Sequence, residues 1–153
     1  MLVLLSGIFF IMRTISFTVY KQPLPQKRHR TRRVSYGAIT YDPSSNDKRN
    51  FLYSCIQYKP KAIPVQPVKI ELSYYLKRPK FHYSGKKQEK LKANAPKRHT
   101  TKPDIDNLIK FTLDAMSKHF WYDDKQVISV IATKDYAEIG EKERTVVKIN
   151  YHD

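Results

Sequence analysis

The clearest structural signal in the sequence is a strict two-residue alternation over residues 68–76. The apolar or aromatic positions are Val68, Ile70, Leu72, Tyr74 and Leu76, with Lys69, Glu71, Ser73 and Tyr75 between them. This period predicts a β-strand with one buried face. A similar alternation at Ile15, Phe17 and Val19 predicts a strand from Thr14. The 153 residues fit one domain, and 41% hydrophobic residues supply material for its core.

The remaining elements are predicted from turn chemistry and apolar spacing. Strands are expected over 34–41, with an interruption at Gly37, and over 127–136 and 144–151. The last two are expected to form a hairpin through residues 137–142. Helices are expected over 46–58 and 106–118, where apolar residues recur at helical spacing. The order lacks βαβ regularity, so the sequence predicts an α+β fold: one mixed sheet with two main helices packed on it.

The first residues, MLVLLSGIFFIM, are apolar but too few to cross a bilayer, for which about 20 are needed. They also lack the preceding basic residue of a signal peptide, since Arg13 follows them. Residues 1–13 are therefore interpreted as a leader added by an upstream start codon, with a membrane anchor as the less favoured alternative. The domain itself is expected over residues 14–153.

Positive charge is concentrated in two segments, residues 21–33 and residues 77–102, and both are expected to form loops. The chain has 29 Lys and Arg against 14 Asp and Glu, a net charge of +15. Residues 21–33 contain six Lys or Arg and no acid, and residues 77–102 contain ten with Glu89 as the one acid, so the rest of the chain is neutral overall. If folding brings these segments together, they form a surface for a polyanion. The alternative is a pair of solvated loops with no partner.

Cysteine usage excludes two classes of protein. Cys55 is the one cysteine, so no intrachain disulfide forms, and a reducing compartment is indicated. One cysteine and scattered histidines cannot make a zinc finger.

An acidic stretch lies directly after the second basic segment. Between residues 104 and 124, five acids stand against Lys110 and Lys118; they are Asp104, Asp106, Asp114, Asp123 and Asp124. Carboxylates beside a bound polyanion need a cation between them, and Mg²⁺ prefers such oxygen ligands. Because Pro103 disfavours helix just before it, Asp104 and Asp106 are expected in extended backbone, projecting to one side.

The following helix is expected to separate a buried face from a polar edge. Its apolar face would comprise Ile105, Leu108, Ile109, Leu113 and Met116, and its polar edge Asp106, Lys110 and Asp114. Each acid also has a structural alternative. One is helix capping, a second is i,i+4 pairing along that edge, and a third is turn formation at Asp123 and Asp124.

These residues carry a family resemblance. The stretch KPDIDNLIKFTLDAM followed by FWYDDKQV resembles the signature of the RusA family of Holliday junction resolvases, and PLPQKRHR resembles the family's amino-terminal basic motif. The resemblance implies that Asp104, Asp106 and Asp124 are metal ligands, with Asp123 also possible. It implies a catalytic role for Lys110, beside the scissile phosphate.

The resemblance also implies a function. It points to a Mg²⁺-dependent endodeoxyribonuclease, with Mn²⁺ as a substitute, that resolves four-way DNA junctions in recombination and repair. The enzyme would be a homodimer making two symmetric nicks, in the cytoplasm of a bacterium or of a phage host, with no membrane partner. The open alternatives are a non-catalytic nucleic-acid-binding protein and a Mg²⁺-dependent nuclease on another branched or RNA substrate.

Phosphate contacts are expected from both basic segments. The candidates are Lys27, Arg28, Arg30, Arg32, Arg33, Lys86, Lys87, Lys90, Lys97, Arg98 and Lys102. Tyr36, Phe81 and Tyr83 are candidates for stacking on bases, with core packing or incidental exposure as the alternative.

Overall fold

The structure is a computed structural model that describes residues 2–5, 8–85, 87 and 89–152, with side chains from Ile11 onward. Its elements in chain order are β1 (Leu2–Leu5), β2 (Ile8–Val19), β3 (Arg30–Val34), β4 (Gly37–Tyr41), α1 (Ser45–Cys55), β5 (Val68–Leu76), β6 (Tyr83–Ser84), β7 (Lys90–Leu91), α2 (Ile105–Met116), β8 (Val127–Tyr136) and β9 (Arg144–His152). Short 3₁₀ turns cover Ile56–Tyr58, Lys80–His82 and Asp124–Gln126.

The main sheet has five strands in the order β1-β2-β9-β5-β8. The strand predicted over residues 68–76 is confirmed as β5, and it lies between β9 and β8. Its apolar positions are at most 2% exposed, while Lys69 on the other face is exposed. β5 pairs antiparallel with β9 and parallel with β8. The predicted α+β class with one mixed sheet is confirmed.

Both helices pack on the apolar face of β5. Phe51 and Cys55 of α1 and Leu108 and Met116 of α2 join the core, and the ring of Phe51 meets that of Phe111 edge-on at 6.0 Å. α2 connects β5 to β8, its parallel neighbour. As the crossover helix of this unit, α2 runs antiparallel to both strands. Its first residues therefore lie at the carboxyl ends of β5 and β8.

The hairpin predicted through residues 137–142 is wrong. β8 and β9 do not pair, because β5 lies between them. The connection crosses the end of β5, where the amide of Ala137 donates to the carbonyl of Leu76 at 2.8 Å. It then turns at Gly140, whose φ of +82° favours glycine. A turn residue between two strands indicates that the chain reverses direction. It does not indicate which strands pair with each other in the sheet.

The strand predicted over residues 34–41 is confirmed for Gly37–Tyr41, which is β4. The loop predicted over residues 21–33 is wrong at its end, because Arg30–Val34 forms strand β3. β3 and β4 form a separate hairpin that turns at Ser35 and Tyr36, and Thr31 and Thr40 join their hydroxyl groups across it at 3.0 Å. The hairpin pairs Val34 with Gly37, so the interruption predicted at Gly37 is a reversal of the chain between two strands. The second basic segment, predicted as a loop, contains a 3₁₀ turn and the short pair β6–β7.

The predicted helix bounds shift by one to three residues: α1 ends at Cys55 before a 3₁₀ turn, and α2 ends at Met116. On α2, Phe111 and Ala115 are buried, whereas Ile105, expected in the core, is 36% exposed. The first strand of the domain begins at Ile8 instead of Thr14. Among the described residues, no helix is long and apolar enough to span a membrane.

Candidate functional site

The first carboxylates of the acidic stretch lie at the amino end of α2. Asp104 is in extended backbone (φ −72°, ψ 144°) at the N-cap position, but its side chain makes no capping bond. Asp106 is in the first helical turn, so the prediction that it would be extended is wrong. Both side chains are exposed. In the described part of the chain, these two carboxylates accept one hydrogen bond between them. The side-chain amide of Asn107 donates it to Asp106, at 3.5 Å.

Residues of both basic segments meet beside Asp104. A cleft of about 490 Å³ is lined by Arg28 from the first segment, by Lys102 from the second, and by Asp104 and Asn107. The amide of Gln26 donates to the carbonyl of Asn107 at 2.9 Å, which attaches the first segment to α2. Folding therefore sets cationic side chains beside the Asp104 carboxylate, which accepts no hydrogen bond or ion pair from the residues that the structure describes.

A half-buried ion network holds the first basic segment in place. Gln26 donates to Asp42 at 2.9 Å, and Lys48 donates to Asp42 at 2.7 Å. Burial alone would raise the pKa of Asp42, but the hydrogen bonds from Lys48, the Ser44 amide and Gln26 outweigh it and lower the pKa from 3.8 to about 2. Burial opposes the charge of Lys48 as well, yet its two carboxylate partners raise its pKa overall.

Lys48 also decides between the alternatives for the polar edge of α2. Its ammonium binds Asp114 at 2.9 Å, so Asp114 ties α2 to α1 instead of pairing with Lys110. Lys110 is exposed, and within the described residues it makes no ion pair or hydrogen bond. Lys110 therefore does not pair with Asp106 or Asp114 along this edge. Its ammonium is available to another anion.

The two acids of the pair 123–124 have different surroundings. Asp123 caps the 3₁₀ turn Asp124–Gln126: its carboxylate accepts from the amide of Lys125 at 2.9 Å, and this bond lowers its pKa. Asp124 is exposed, and its Oδ1 accepts from Ser117 at 2.7 Å and from the indole of Trp121 at 3.0 Å. Trp121 is fully buried, so it is a rigid donor that fixes the orientation of Asp124.

The structure does not bring Asp124 to the other two carboxylates of the same chain. Asp104 and Asp106 lie where α2 begins, whereas Ser117, which holds Asp124, directly follows its last residue. A helix of 12 residues is about 18 Å long at 1.5 Å per residue. Accordingly, among the described residues no three His, Cys, Asp or Glu side chains are grouped so that they could hold one metal ion.

All described candidates for phosphate binding are exposed. Two of them already have an acidic partner: Lys27 binds Asp47 at 2.9 Å, and Arg98 binds Asp135. Lys86 lies outside the described residues. Among the aromatic candidates, Tyr36 at the tip of the β3–β4 hairpin is 82% exposed and Phe81 is 70% exposed, while Tyr83 is half-buried.

Sequence reasoning missed the residues that position this site. Lys134 donates to the carbonyls of Thr101 and Pro103 at 2.8 and 2.7 Å, which ties the end of the second basic segment to β8. Gln126 accepts from the amide of Asp123 at 2.7 Å and donates to the carbonyl of Pro64 at 2.7 Å. The spacing of Asp123 and Gln126 is that of a capping box, which is the signal that could have identified Gln126.

A basic α+β domain with a cationic cleft lined by the exposed carboxylate of Asp104 defines a protein that acts on nucleic acid. The family model for endodeoxyribonuclease RusA matches residues 21–150. The chain is also 32% identical over 129 residues to the uncharacterized protein YqaN of Bacillus subtilis (strain 168), an alignment that covers 83% of this chain and 91% of that protein. The chain belongs to the RusA endodeoxyribonuclease family, which confirms the resemblance and makes DNA its class of substrate.

Proposed function

We propose that the protein is a Mg²⁺-dependent endonuclease that resolves four-way DNA junctions by paired symmetric nicks. The observation that carries this proposal is the pair of carboxylates at the amino end of α2, Asp104 and Asp106. They are exposed, lack strong protein partners among the described residues, and one of them lines a cleft with Arg28 and Lys102. A protein that only bound DNA would gain nothing from free carboxylates at its phosphate-binding surface.

The donor set fits a hard divalent cation. Two neighbouring carboxylates repel each other, and a bound cation relieves that repulsion. Mg²⁺ is commonly held by one or two carboxylates and keeps several waters, so Asp104 and Asp106 suffice to start a site; Mn²⁺ takes the same ligands. When bound, the ion supplies Lewis acidity at the scissile phosphate and a more acidic water.

The cationic side chains around the carboxylates have separate tasks. Arg28 and Lys102 bind phosphates of the strand that enters the cleft, which orients the scissile bond. Lys110 lies one turn along α2 from Asp106, and its free ammonium stabilises the negative charge that develops on the phosphate. The exposed hairpin β3–β4, with Arg30, Arg32 and Arg33 on its first strand, binds the flanking duplex.

We further propose that a second copy of the chain supplies Asp124. Two carboxylates on one Mg²⁺ have their oxygens at most about 4 Å apart, and two ions about 4 Å apart extend this to about 8 Å. The length of α2 separates Asp124 from Asp104 by roughly twice that distance. Asp124, oriented by Trp121, can therefore serve only the carboxylate pair of a different subunit.

The open edge of the sheet supports this arrangement. Within the described residues, β8 is an edge strand, and its side chains Ile128 and Ile131 are 60% and 63% exposed. Such an edge is a template for pairing with another chain. Two β8 strands can pair antiparallel with Ile128 of each copy opposite Ile131 of the other. In this register, Asp124 of one copy lies level with Lys134 and Asp135 of the other. Lys134 donates to the carbonyl of Pro103, next to Asp104, so this pairing would place Asp124 of one copy on the side of the dimer where Asp104 of the other lies.

The test is cleavage of an end-labelled mobile four-way junction with and without Mg²⁺. Symmetric nicks are expected with the ion, and Asp106→Asn is expected to remove cleavage while junction binding remains. Glu71→Gln is the matched control, because it removes a carboxylate from the opposite face of the sheet, where Glu71 binds Lys148 at 3.1 Å. Nicking that persists in Asp106→Asn or without divalent metal contradicts the proposal, and binding without any nicking by the unaltered chain favours the non-catalytic alternative.

A further inference from the structure

A second cleft, separate from the one at Asp104, opens at the same end of the sheet. Its volume is about 460 Å³, which lies within the range of small-molecule sites. The second basic segment forms one wall with Arg78, Leu91 and Lys97. The end of β8 and the connection after it form the other wall with Asp135, Tyr136, Glu138 and Ile139. The charge of Asp135 is balanced by its ion pair with Arg98.

The lining combines the three kinds of group that a nucleotide requires. Leu91 and Ile139 are apolar and 39% and 45% exposed, so they offer a surface to a base. Lys97 is exposed and, among the described residues, without an anionic partner, which suits a phosphate. Glu138 is likewise exposed, and its carboxylate is free in the described structure, so it can accept a hydrogen bond from a base.

The floor of this cleft is rigid. Tyr136 is 5% exposed, with the guanidinium of Arg78 at 4.2 Å over its ring and the rings of His82 and His99 at 5.5 and 4.6 Å. Arg78 in turn donates to the carbonyl of Pro96 at 2.7 Å, which fixes the wall that carries Lys97. A preformed wall spares the ordering cost that a flexible loop would pay on binding.

The position of the cleft relates it to the proposed chemistry. Lys134 donates to the carbonyl of Pro103, which precedes Asp104. Lys134 also lies two residues before Tyr136 on β8. Lys97 in this cleft and Lys102 in the other are five residues apart, a reach of at most about 17 Å. The two clefts are therefore close enough for a DNA strand with a phosphate at Asp104 to reach the second cleft within two or three nucleotides.

We propose that this cleft holds one unstacked nucleotide of the junction strand, near the scissile phosphate, and that Glu138 selects a base with an exocyclic amino group. Lys97 binds the phosphate of that nucleotide, and Leu91 and Ile139 contact its base. The inference rests on the proposed function, because the strand must run from one cleft to the other. Unstacking is least costly at a branch point, where base pairing is already interrupted.

The first experiment uses four-way junctions with 2-aminopurine at single positions within three nucleotides of the nick, bound to the full chain without Mg²⁺. At one position we expect a several-fold rise in fluorescence, as an unstacked base gives. Ile139→Trp fills the cleft and is expected to remove the rise, measured at a protein concentration that saturates the junction. Ile63→Trp, at the opposite end of β5 on a residue 37% exposed, is the matched control and should keep the rise.

The second experiment tests the selection by Glu138. With Mg²⁺, junctions with cytosine or adenine at the fluorescent position should be cleaved about tenfold faster than those with thymine, and Glu138→Gln should reduce this preference to near unity. Lys97→Ala should weaken the fluorescence rise, while Lys69→Ala, an exposed lysine at the start of β5, should not. A chain that nicks junctions but shows no rise, or a rise that survives Ile139→Trp, overturns this inference alone; a chain that binds no junction overturns both proposals.

Discussion

The division of the three carboxylates between the ends of α2 gives a sharp prediction. Asp106→Asn and Asp124→Asn homodimers should each be inactive, whereas a heterodimer with one subunit of each kind should cleave. In that heterodimer, one composite site loses both carboxylates and the other keeps all of them. About half of the wild-type nicking rate is then expected, since one of two symmetric sites is intact.

The separation of Asp124 from the other two carboxylates follows from the length of α2. The 12 residues of α2 span about 18 Å, and ligands shared by one or two Mg²⁺ ions lie within about 8 Å of one another. The remaining gap of about 10 Å exceeds what rotation of one aspartate side chain can bridge. The bonds from Ser117 and Trp121 also hold Asp124 at its end of the helix.

The assay uses co-expressed subunits with two different affinity tags, purified over both, and a labelled junction with Mg²⁺. The heterodimer should give single nicks in preference to paired ones, because its second site lacks ligands. The matched control is a heterodimer of Asp106→Asn and Asp104→Asn subunits, which damages both composite sites and should stay inactive. A doubly tagged Asp106→Asn and Asp124→Asn heterodimer no more active than this control would refute the composite site.

Three further predictions concern the support of the site. Trp121→Phe removes the indole donor to Asp124 and keeps an aromatic side chain. The single-turnover rate of nicking on a labelled junction should fall roughly 10- to 100-fold, with junction affinity unchanged. An unchanged rate would mean that Trp121 does not position Asp124. Arg30→Ala with Arg32→Ala should reduce the slope of log affinity against log salt by about 1.8, measured by fluorescence anisotropy on a junction. The same slope in the double variant would remove the β3–β4 hairpin from the DNA interface. Because the folded pKa of Asp42 is depressed from 3.8 to about 2, its ion pair stabilises the fold above pH 4, and this contribution is lost as the pH falls from about 4 to 2. Lys48→Met should therefore lower the free energy of unfolding by about 1–2 kcal/mol at pH 6, after allowance for solvent screening, and by less at pH 2. Urea titration at both pH values measures the two losses. An equal loss at both would contradict a stabilising ion pair at Asp42.

Much of the site was predictable because its signals are local. Strict alternation identified β5, and the partition of charge identified two basic segments and an acidic stretch. Arg28, Lys102 and Asp104 do meet at one cleft, as a polyanion-binding surface requires. The polar edge of α2 was also predicted, since helical periodicity fixes which residues share a face whatever the helix packs against.

Errors arose where a local pattern has several tertiary solutions. Asp106 was expected in extended backbone, but α2 begins one residue earlier and includes it. The bond partner of Asp114 is Lys48, 66 residues away in the sequence, so the spacing of acids and lysines on α2 could not reveal it. The role of Trp121 was similarly hidden, because an aromatic residue beside two acids gives no sign that its indole donates to one of them.

The sequence by itself determined which residues form strands and helices, which faces are buried, and which kind of ligand the charged residues attract. These properties depend on periodicity and composition within a few residues. Only the tertiary structure decided that β5 separates β8 from β9, and that Asp124 lies a full helix length from Asp104. Strand order and the separation of Asp104 from Asp124 are set by how apolar faces fit together across the whole chain, and no local pattern in the sequence reports this long-range packing.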